Sequence, residues 1–268
     1  MRNVMRGFLS TAAVLAVSLL AGLPIAAQTQ TYRAPRASDG HPDLNGIWQA
    51  FTTANWDLQD HSQQAGTMWE LGSIGAVPPG QGVVEGNEIP YQPAALAKKK
   101  ANFDKRRTDD PEAKCYLPGV PRANYMPYPF QIVQSPQGIL FVYEYASANR
   151  FVNMGKPIEA GSDTWMGTNN GHWEGETLVV DVTGLNGLAW LDRAGDFTSD
   201  QLHVVERYTR VDPYHINYEA TIEDPKTFTK PWKISMPLYR RVEKNAQLLD
   251  FKCVEFSEEL LYGQFKKK

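Results

Sequence analysis

Seven short β-patterned runs in the second half of the chain constrain the fold more than any other feature. They cover residues 139–146, 150–154, 177–183, 201–211, 215–224, 232–241 and 247–256. β-Branched and aromatic residues dominate these runs, and apolar side chains alternate with polar ones, as in strands with one buried face. Short turns between the runs favour antiparallel neighbours, and connections with so little helix argue against a parallel sheet. A sheet this long removes its edges by closing into a barrel or folding into a sandwich.

We therefore predict a mainly all-β fold, an antiparallel meander closed into a lipocalin-like β-barrel or a sandwich. A single domain would span residues 43–258, after a flexible leader at 28–42 and before a polar tail at 259–268. One short helix is expected near 93–107, since proline stands in its first turn and cationic residues follow toward its C-terminus. Residues 51–129 otherwise form a long irregular excursion, too rich in tryptophan and methionine to be disordered.

The N-terminus has the pattern of a secretory signal peptide. Arg2 and Arg6 precede an apolar run over residues 7–23, and small residues end at Ala27. The apolar run is too short for a transmembrane anchor, and no later run approaches the length of a membrane span. We expect cleavage near Ala27 and a soluble protein that is periplasmic or secreted.

Charge and cysteine content narrow the environment further. The net charge is −3, and losing the two arginines of the signal peptide would make it about −5, which argues against a nucleic-acid-binding protein. Two cysteines, Cys115 and Cys253, are present. An even count in an exported chain favours a disulfide, here closing a loop of about 139 residues. Two buried free thiols are the alternative.

The connection between the runs at 177–183 and 201–211 holds the most concentrated polar chemistry. An apolar cluster at 188–191 gives this loop a small core of its own, which would fix the adjacent Asp192 and Arg193. Asp192 would act as a general acid or base, or would orient His203 from the next strand. Arg193 would bind a carboxylate or stabilise developing negative charge. Alternatively, Asp192 caps the loop and Arg193 pairs with a nearby acid.

Further candidate residues surround this loop. His203 and Arg207 share one face of their strand, whereas His203 and Glu206 point to opposite faces. Catalytic roles are predicted for Asp192 and His203. Substrate-binding roles are predicted for Arg193, Arg207, Tyr143, Tyr145, Trp165, His172 and Trp190. In the proline-rich segment near residue 120, Arg122, Tyr125 and Tyr128 would either line a pocket or hold the segment on the surface.

Several catalytic signatures are absent from the sequence. It has no Gly-x-Ser-x-Gly elbow, no glycine-rich phosphate loop and no His-Glu-x-x-His helix. The histidines His41, His61, His172, His203 and His215 are scattered. We therefore expect no metal and no redox cofactor, although distant carboxylates could assemble a metal site.

Five motifs resemble a large family of exported, mostly uncharacterised β-rich proteins that is abundant in Gram-negative bacteria. They are Cys-x-x-x-Gly-Val-Pro-Arg (115–122), Tyr-Pro-Phe-Gln-Ile-Val-Gln (128–134), Trp-Glu-Gly-Glu-Thr-Leu-Val-Val-Asp (173–181), Trp-Leu-Asp-Arg-Ala-Gly (190–195) and Asp-Pro-Lys-Thr-Phe-Thr-Lys-Pro-Trp (224–232). This resemblance implies a periplasmic or secreted β-rich protein and no particular reaction. Gly46 and Trp48 also resemble the opening strand of lipocalins, in which a tryptophan plugs one end of a barrel.

These observations lead to three hypotheses about function. The first is an exported, cofactor-independent enzyme, a hydrolase, lyase or isomerase, using acid/base chemistry on a small organic substrate of aromatic or glycosidic type. The second is a non-catalytic, lipocalin-like carrier with the same pocket walls. The third is an envelope-associated module that binds a partner through its proline-rich segment and basic helix.

Overall fold

A closed β-barrel dominates the computed structural model, which describes residues 32–66 and 68–265. The predicted signal peptide lies outside the described residues. Within them, nine strands follow one another around the barrel in chain order, and the last pairs with the first. The strands are β1 Gly46–Ala50, β2 Phe130–Ser135, β3 Gly138–Tyr143, β4 Asn149–Asn153, β5 Thr168–Glu174, β6 Thr177–Thr183, β7 His203–Arg210, β8 His215–Glu223 and β9 Trp232–Arg240. The predicted all-β barrel is confirmed.

One strand pair departs from the expected antiparallel meander. β4 and β5 are parallel, with Val152 opposite Asn169, whereas the other neighbouring pairs around the barrel are antiparallel. The connection over residues 154–167 is long enough to return the chain to the same end of the barrel, which a parallel pair requires. The sheet is therefore mainly antiparallel, as predicted, but the argument from connection length fails for this one pair.

The predicted helix is present and ends early. Helix α1 spans Pro93–Asp104, and a short helix α2 follows at Arg106–Asp109. Near the C-terminus, α3 spans Ser257–Tyr262. No helix in the described part of the chain is long and apolar enough to cross a membrane. The excursion over 51–129 is packed, as expected from its tryptophans, since Leu58 and Val84 within it are buried.

Three segments differ from the strand prediction, and one of them is β2, which lies in the proline-rich segment before the seven predicted runs. β5 was not expected, because its polar and glycine-containing sequence lacks the alternation of apolar residues. Residues 247–256 were expected to form a strand, yet this described segment is irregular. The reason is topological: β9 already pairs with β1, so the described barrel offers no edge to a further strand.

Side chains rather than solvent occupy the barrel interior, and several of them are polar. Arg150 and Glu206 form an ion pair with both side chains buried. Tyr218 donates its hydroxyl to Glu206 Oε1 at 2.8 Å, and Tyr208 donates to the same oxygen at 3.0 Å. Asn124, from a 3-10 helix at Arg122–Tyr125, reaches in and donates to Glu206 Oε1 at 2.6 Å. This short helix therefore places a polar side chain inside the barrel.

Candidate functional site

A cavity of about 280 Å³ lies outside the barrel, between helix α2, the 3-10 helix at Pro111–Lys114 and the C-terminal residues 251–259. Its lining includes Arg106, Glu112, Tyr128, Tyr145, Arg193 and Phe251. A cavity of this size, with aromatic walls and a few charged groups, has the composition of a small-molecule site.

Glu112 and Arg193 form the charged wall of the cavity. Arg193 donates from Nε to Glu112 Oε2 at 2.7 Å and from Nη2 to Oε1 at 2.6 Å, a bidentate pair. From behind, the buried Arg122 contacts both Glu112 and Asp110. Burial alone would raise the pKa of Glu112, but Arg193 and Arg122 outweigh it and lower that pKa to about 2. Glu112 is therefore a permanent carboxylate whose charge is already neutralised.

Three aromatic rings form a second wall. The ring centroids of Tyr145 and Phe251 lie 4.9 Å apart, and those of Tyr128 and Phe251 lie 5.1 Å apart. Tyr128 and Tyr145 themselves are 5.6 Å apart. Burial raises the pKa of both tyrosines, with Glu112 adding to the shift, so both phenols are neutral at physiological pH. The wall therefore offers apolar ring surface rather than charge.

The third wall is the segment of residues 247–262, which we call the C-terminal arm. A disulfide joins Cys253 in the arm to Cys115, with the two Cα atoms 5.8 Å apart. The predicted bridge is confirmed, and the alternative of two free thiols is wrong. Phe256 also donates its backbone N–H to the Ala113 carbonyl at 2.9 Å. The disulfide thus attaches the arm beside Glu112.

Asp192 is fully buried and is not among the residues that line the cavity. Its Oδ2 accepts from the Leu58 backbone N–H at 2.9 Å, and its Oδ1 accepts from the Asp196 N–H at 3.0 Å. Burial, followed by the nearby Asp196 and Asp57, raises the pKa of Asp192 well above its ordinary value. Asp192 therefore links its own loop to the irregular segment of residues 51–129, which agrees with the alternative that Asp192 caps the loop.

One group of acidic residues in the described chain is close enough to hold a metal ion. Single oxygens of Asp57, Asp192 and Asp196 lie within 4.8 Å of one another. Lys99 Nζ lies 2.8 Å from Asp196 Oδ1, and Tyr91 donates its hydroxyl to the same oxygen at 2.6 Å. The ammonium of Lys99 thus already supplies positive charge to this group.

His203 lies on the outer face of the barrel. Its Nε2 is 2.9 Å from Asp181 Oδ2, and its Nδ1 is 3.6 Å from Glu223 Oε2. Among the described residues it shares no hydrogen bond with Asp192. Glu206 points into the barrel, so the predicted opposition of His203 and Glu206 is confirmed.

The remaining predicted site residues are dispersed. On the outer face, Arg207 and His172 both contact Glu174, at 2.8 and 3.1 Å. Tyr143 lies inside the barrel and donates its hydroxyl to Asn124. Trp165 stacks on Tyr116 with ring centroids 5.2 Å apart. The Trp190 side chain is buried in the core.

Arg193 and Tyr145 are the predicted site residues that line the cavity, together with Tyr128 from the proline-rich segment. Glu112 and Phe251 are not among the predicted site residues, and Arg106 was predicted only as one of the cations of the basic helix, for which a solvated face was favoured over an anionic partner. The signal for Glu112 in the sequence is its position after Pro111, which favours a tight turn. Phe251 gave no such signal, because its role depends on the path of the C-terminal arm.

Comparison with protein-family models, with curated proteins and with solved structures gives no match to this chain. The family resemblance of its motifs therefore stays a prediction, and function has to be inferred from the geometry of the cavity.

Proposed function

We propose that this protein is exported and binds a small aromatic molecule in the cavity between Arg193 and Phe251. The observation that carries the proposal is the cluster of Tyr128, Tyr145 and Phe251 around one cavity that a neutralised ion pair, Arg193 with Glu112, also lines. Aromatic rings provide large apolar contact area with little loss of side-chain entropy on binding.

Binding without catalysis is favoured over acid/base turnover by the positions of the two candidate catalytic residues. Asp192 is enclosed by backbone donors, and His203 is paired with Asp181 on the barrel exterior. A general acid or base has to come within hydrogen-bond reach of its substrate. The enzyme hypothesis stays a prediction, and the chromatography described below tests it.

Export is supported by the disulfide between Cys115 and Cys253. Such bridges form and persist in oxidising compartments, including the bacterial periplasm. The signal-peptide pattern at the N-terminus points to the same compartment.

The test is a calorimetric titration with 2-naphthamide, a neutral bicyclic probe small enough for the cavity. We expect saturable binding that the Phe251→Ala variant weakens by about tenfold, which corresponds to roughly 1.4 kcal/mol. The matched control is Phe151→Ala, because Phe151 is 55% exposed on strand β4. Equal affinity in the Phe251→Ala variant, or no binding to the wild-type protein, would contradict the proposal.

Chromatography of small aromatic amides and glycosides after incubation separates the binding protein from an enzyme. We expect each compound to be recovered unchanged. Conversion that is lost in Asp192→Asn and His203→Ala would instead support the acid/base enzyme.

A further inference from the structure

Most of the charged side chains around the cavity are paired with an opposite charge. Arg193 pairs with Glu112, and Lys252 pairs with Asp250 at 2.9 Å. Arg107 pairs with Glu259 at 2.8 Å. The acids at the base of the cavity, Asp110 and Glu112, are both paired with Arg122. Among the described lining residues, Arg106 is the arginine that none of these ion pairs includes.

Arg106 has no ion pair within the described residues. Its Nη1 donates to the Phe103 carbonyl at 2.7 Å, and its guanidinium lies 4.1 Å from the centre of the Phe103 ring. The Nε and Nη2 groups donate no hydrogen bond to any described residue. The Nε–H and one Nη2–H of Arg106 point in parallel from one edge of the guanidinium. Two parallel donors of this kind bind a carboxylate in bidentate fashion.

The surroundings of Arg106 favour an added negative charge. Its side chain is only partly exposed, on the wall of the cavity. Burial and then the neighbouring Arg107 lower the pKa of Arg106, and the nearby Asp104 offsets them only in part. A cation that has lost part of its water and has another cation beside it gains from a bound anion more than a fully hydrated one does.

We propose that the bound molecule is a small aromatic carboxylate, with its acidic group on Arg106 and its ring against Phe251 and Tyr128. This inference rests on the proposed function, because it assigns a ligand class to the same cavity. The planar carboxylate matches the guanidinium fork, and the three rings of the opposite wall supply the apolar contact.

The test compares 2-naphthoate with 2-naphthamide, which have the same ring and nearly the same shape but differ in charge. In the wild-type protein at neutral pH we expect naphthoate to bind at least about tenfold more tightly than naphthamide. In Arg106→Gln this preference should disappear, with the affinity for naphthamide unchanged. Arg106→Lys, which keeps the charge and loses the fork, should keep part of the preference.

The matched control is Arg36→Gln, which removes the same charge from an exposed pair with Glu176 and should leave the preference intact. Equal affinity of the wild-type protein for the two probes would overturn the inference while leaving the proposed binding function in place. A preference that persists in Arg106→Gln would also overturn it. Failure of both probes to bind would contradict the proposed function itself.

Discussion

Arg150 and Glu206 form an ion pair inside the barrel, where the Arg150 side chain is 1% exposed and that of Glu206 is not exposed at all. Both charges have further partners. Arg150 donates to Tyr143, Tyr208 and Asn169, while Glu206 accepts from Tyr218. The interior is thus organised around two opposite charges that are surrounded by hydrogen bonds.

Glu206→Gln should destabilise the barrel strongly, because it leaves the positive charge of Arg150 buried and uncompensated. Breaking a buried pair in this way typically costs about 3–5 kcal/mol. Urea denaturation of both proteins measures the change in the free energy of unfolding. The control is Glu176→Gln, which disrupts an exposed pair with Arg36 and should cost less than about 1 kcal/mol. Similar losses in both variants would contradict the prediction.

Glu112 should make the free energy of unfolding depend on pH in the acidic range. Its pKa is about 2 in the folded protein against an ordinary 4.5, so its stabilising effect is complete above pH 4.5 and is lost as the pH falls toward 2. At about 1.4 kcal/mol per pKa unit, the effect is of the order of 3 kcal/mol. Denaturant titrations between about pH 6 and pH 2 should show a smaller loss of stability in Glu112→Gln than in the wild-type protein. Parallel pH profiles would rule out this role.

Asp192 and His203 should differ sharply in their effect on stability. In Asp192→Asn, the amide NH₂ replaces an acceptor oxygen and leaves the N–H of Leu58 or of Asp196 buried without its partner. Such a loss costs about 1–3 kcal/mol. His203→Ala removes a partly exposed contact with Asp181 and should change the free energy of unfolding by no more than about 0.5 kcal/mol. Thermal denaturation of the two variants measures both; a larger loss in His203→Ala would reverse this assignment.

Removing the disulfide should loosen the C-terminal arm before it affects the barrel. In the double variant Cys115→Ser, Cys253→Ser, we expect amide hydrogen exchange to rise more over residues 247–262 than in β7. The free energy of unfolding should fall by about 2–5 kcal/mol. Mass spectrometry of exchanged peptides measures the first effect. Exchange that rises equally in the arm and in β7 would show that the bridge supports the whole fold instead.

The sequence predicts best the strands in which apolar and polar residues alternate, because this alternation indicates that one face is buried. In β6 and β7 the inward positions are occupied by residues such as Val180, Val204 and Tyr208, which are fully buried. Their number and the short turns between them predicted a sheet that closes into a barrel or folds into a sandwich, and the structure has the barrel. The sequence does not predict β5 because its inward positions include the polar Asn169 and Gly171 instead of a run of apolar residues.

The residues that line the cavity were predicted only in part, because they belong to loop segments without a regular alternation of apolar and polar residues. Arg193 belongs to a loop with a visible apolar core, so it was identified from local sequence. Glu112 meets Arg193 through a contact between residues 81 positions apart, and the place of Phe251 beside them depends on the path of the chain after β9. The disulfide between Cys115 and Cys253, which the sequence predicts, brings the two segments together, but which of their side chains then line the cavity depends on the fold.

The separation of 138 positions between the two cysteines also sets an order of events during biosynthesis. Eight strands, β2 to β9, lie between Cys115 and Cys253, so the covalent link can form only after the ribosome has made nearly the entire polypeptide. A newly made chain that has not met an oxidant lacks the covalent hold on one wall of its cavity. Under the proposed function, we therefore expect tighter ligand binding in the oxidised protein than in the reduced one.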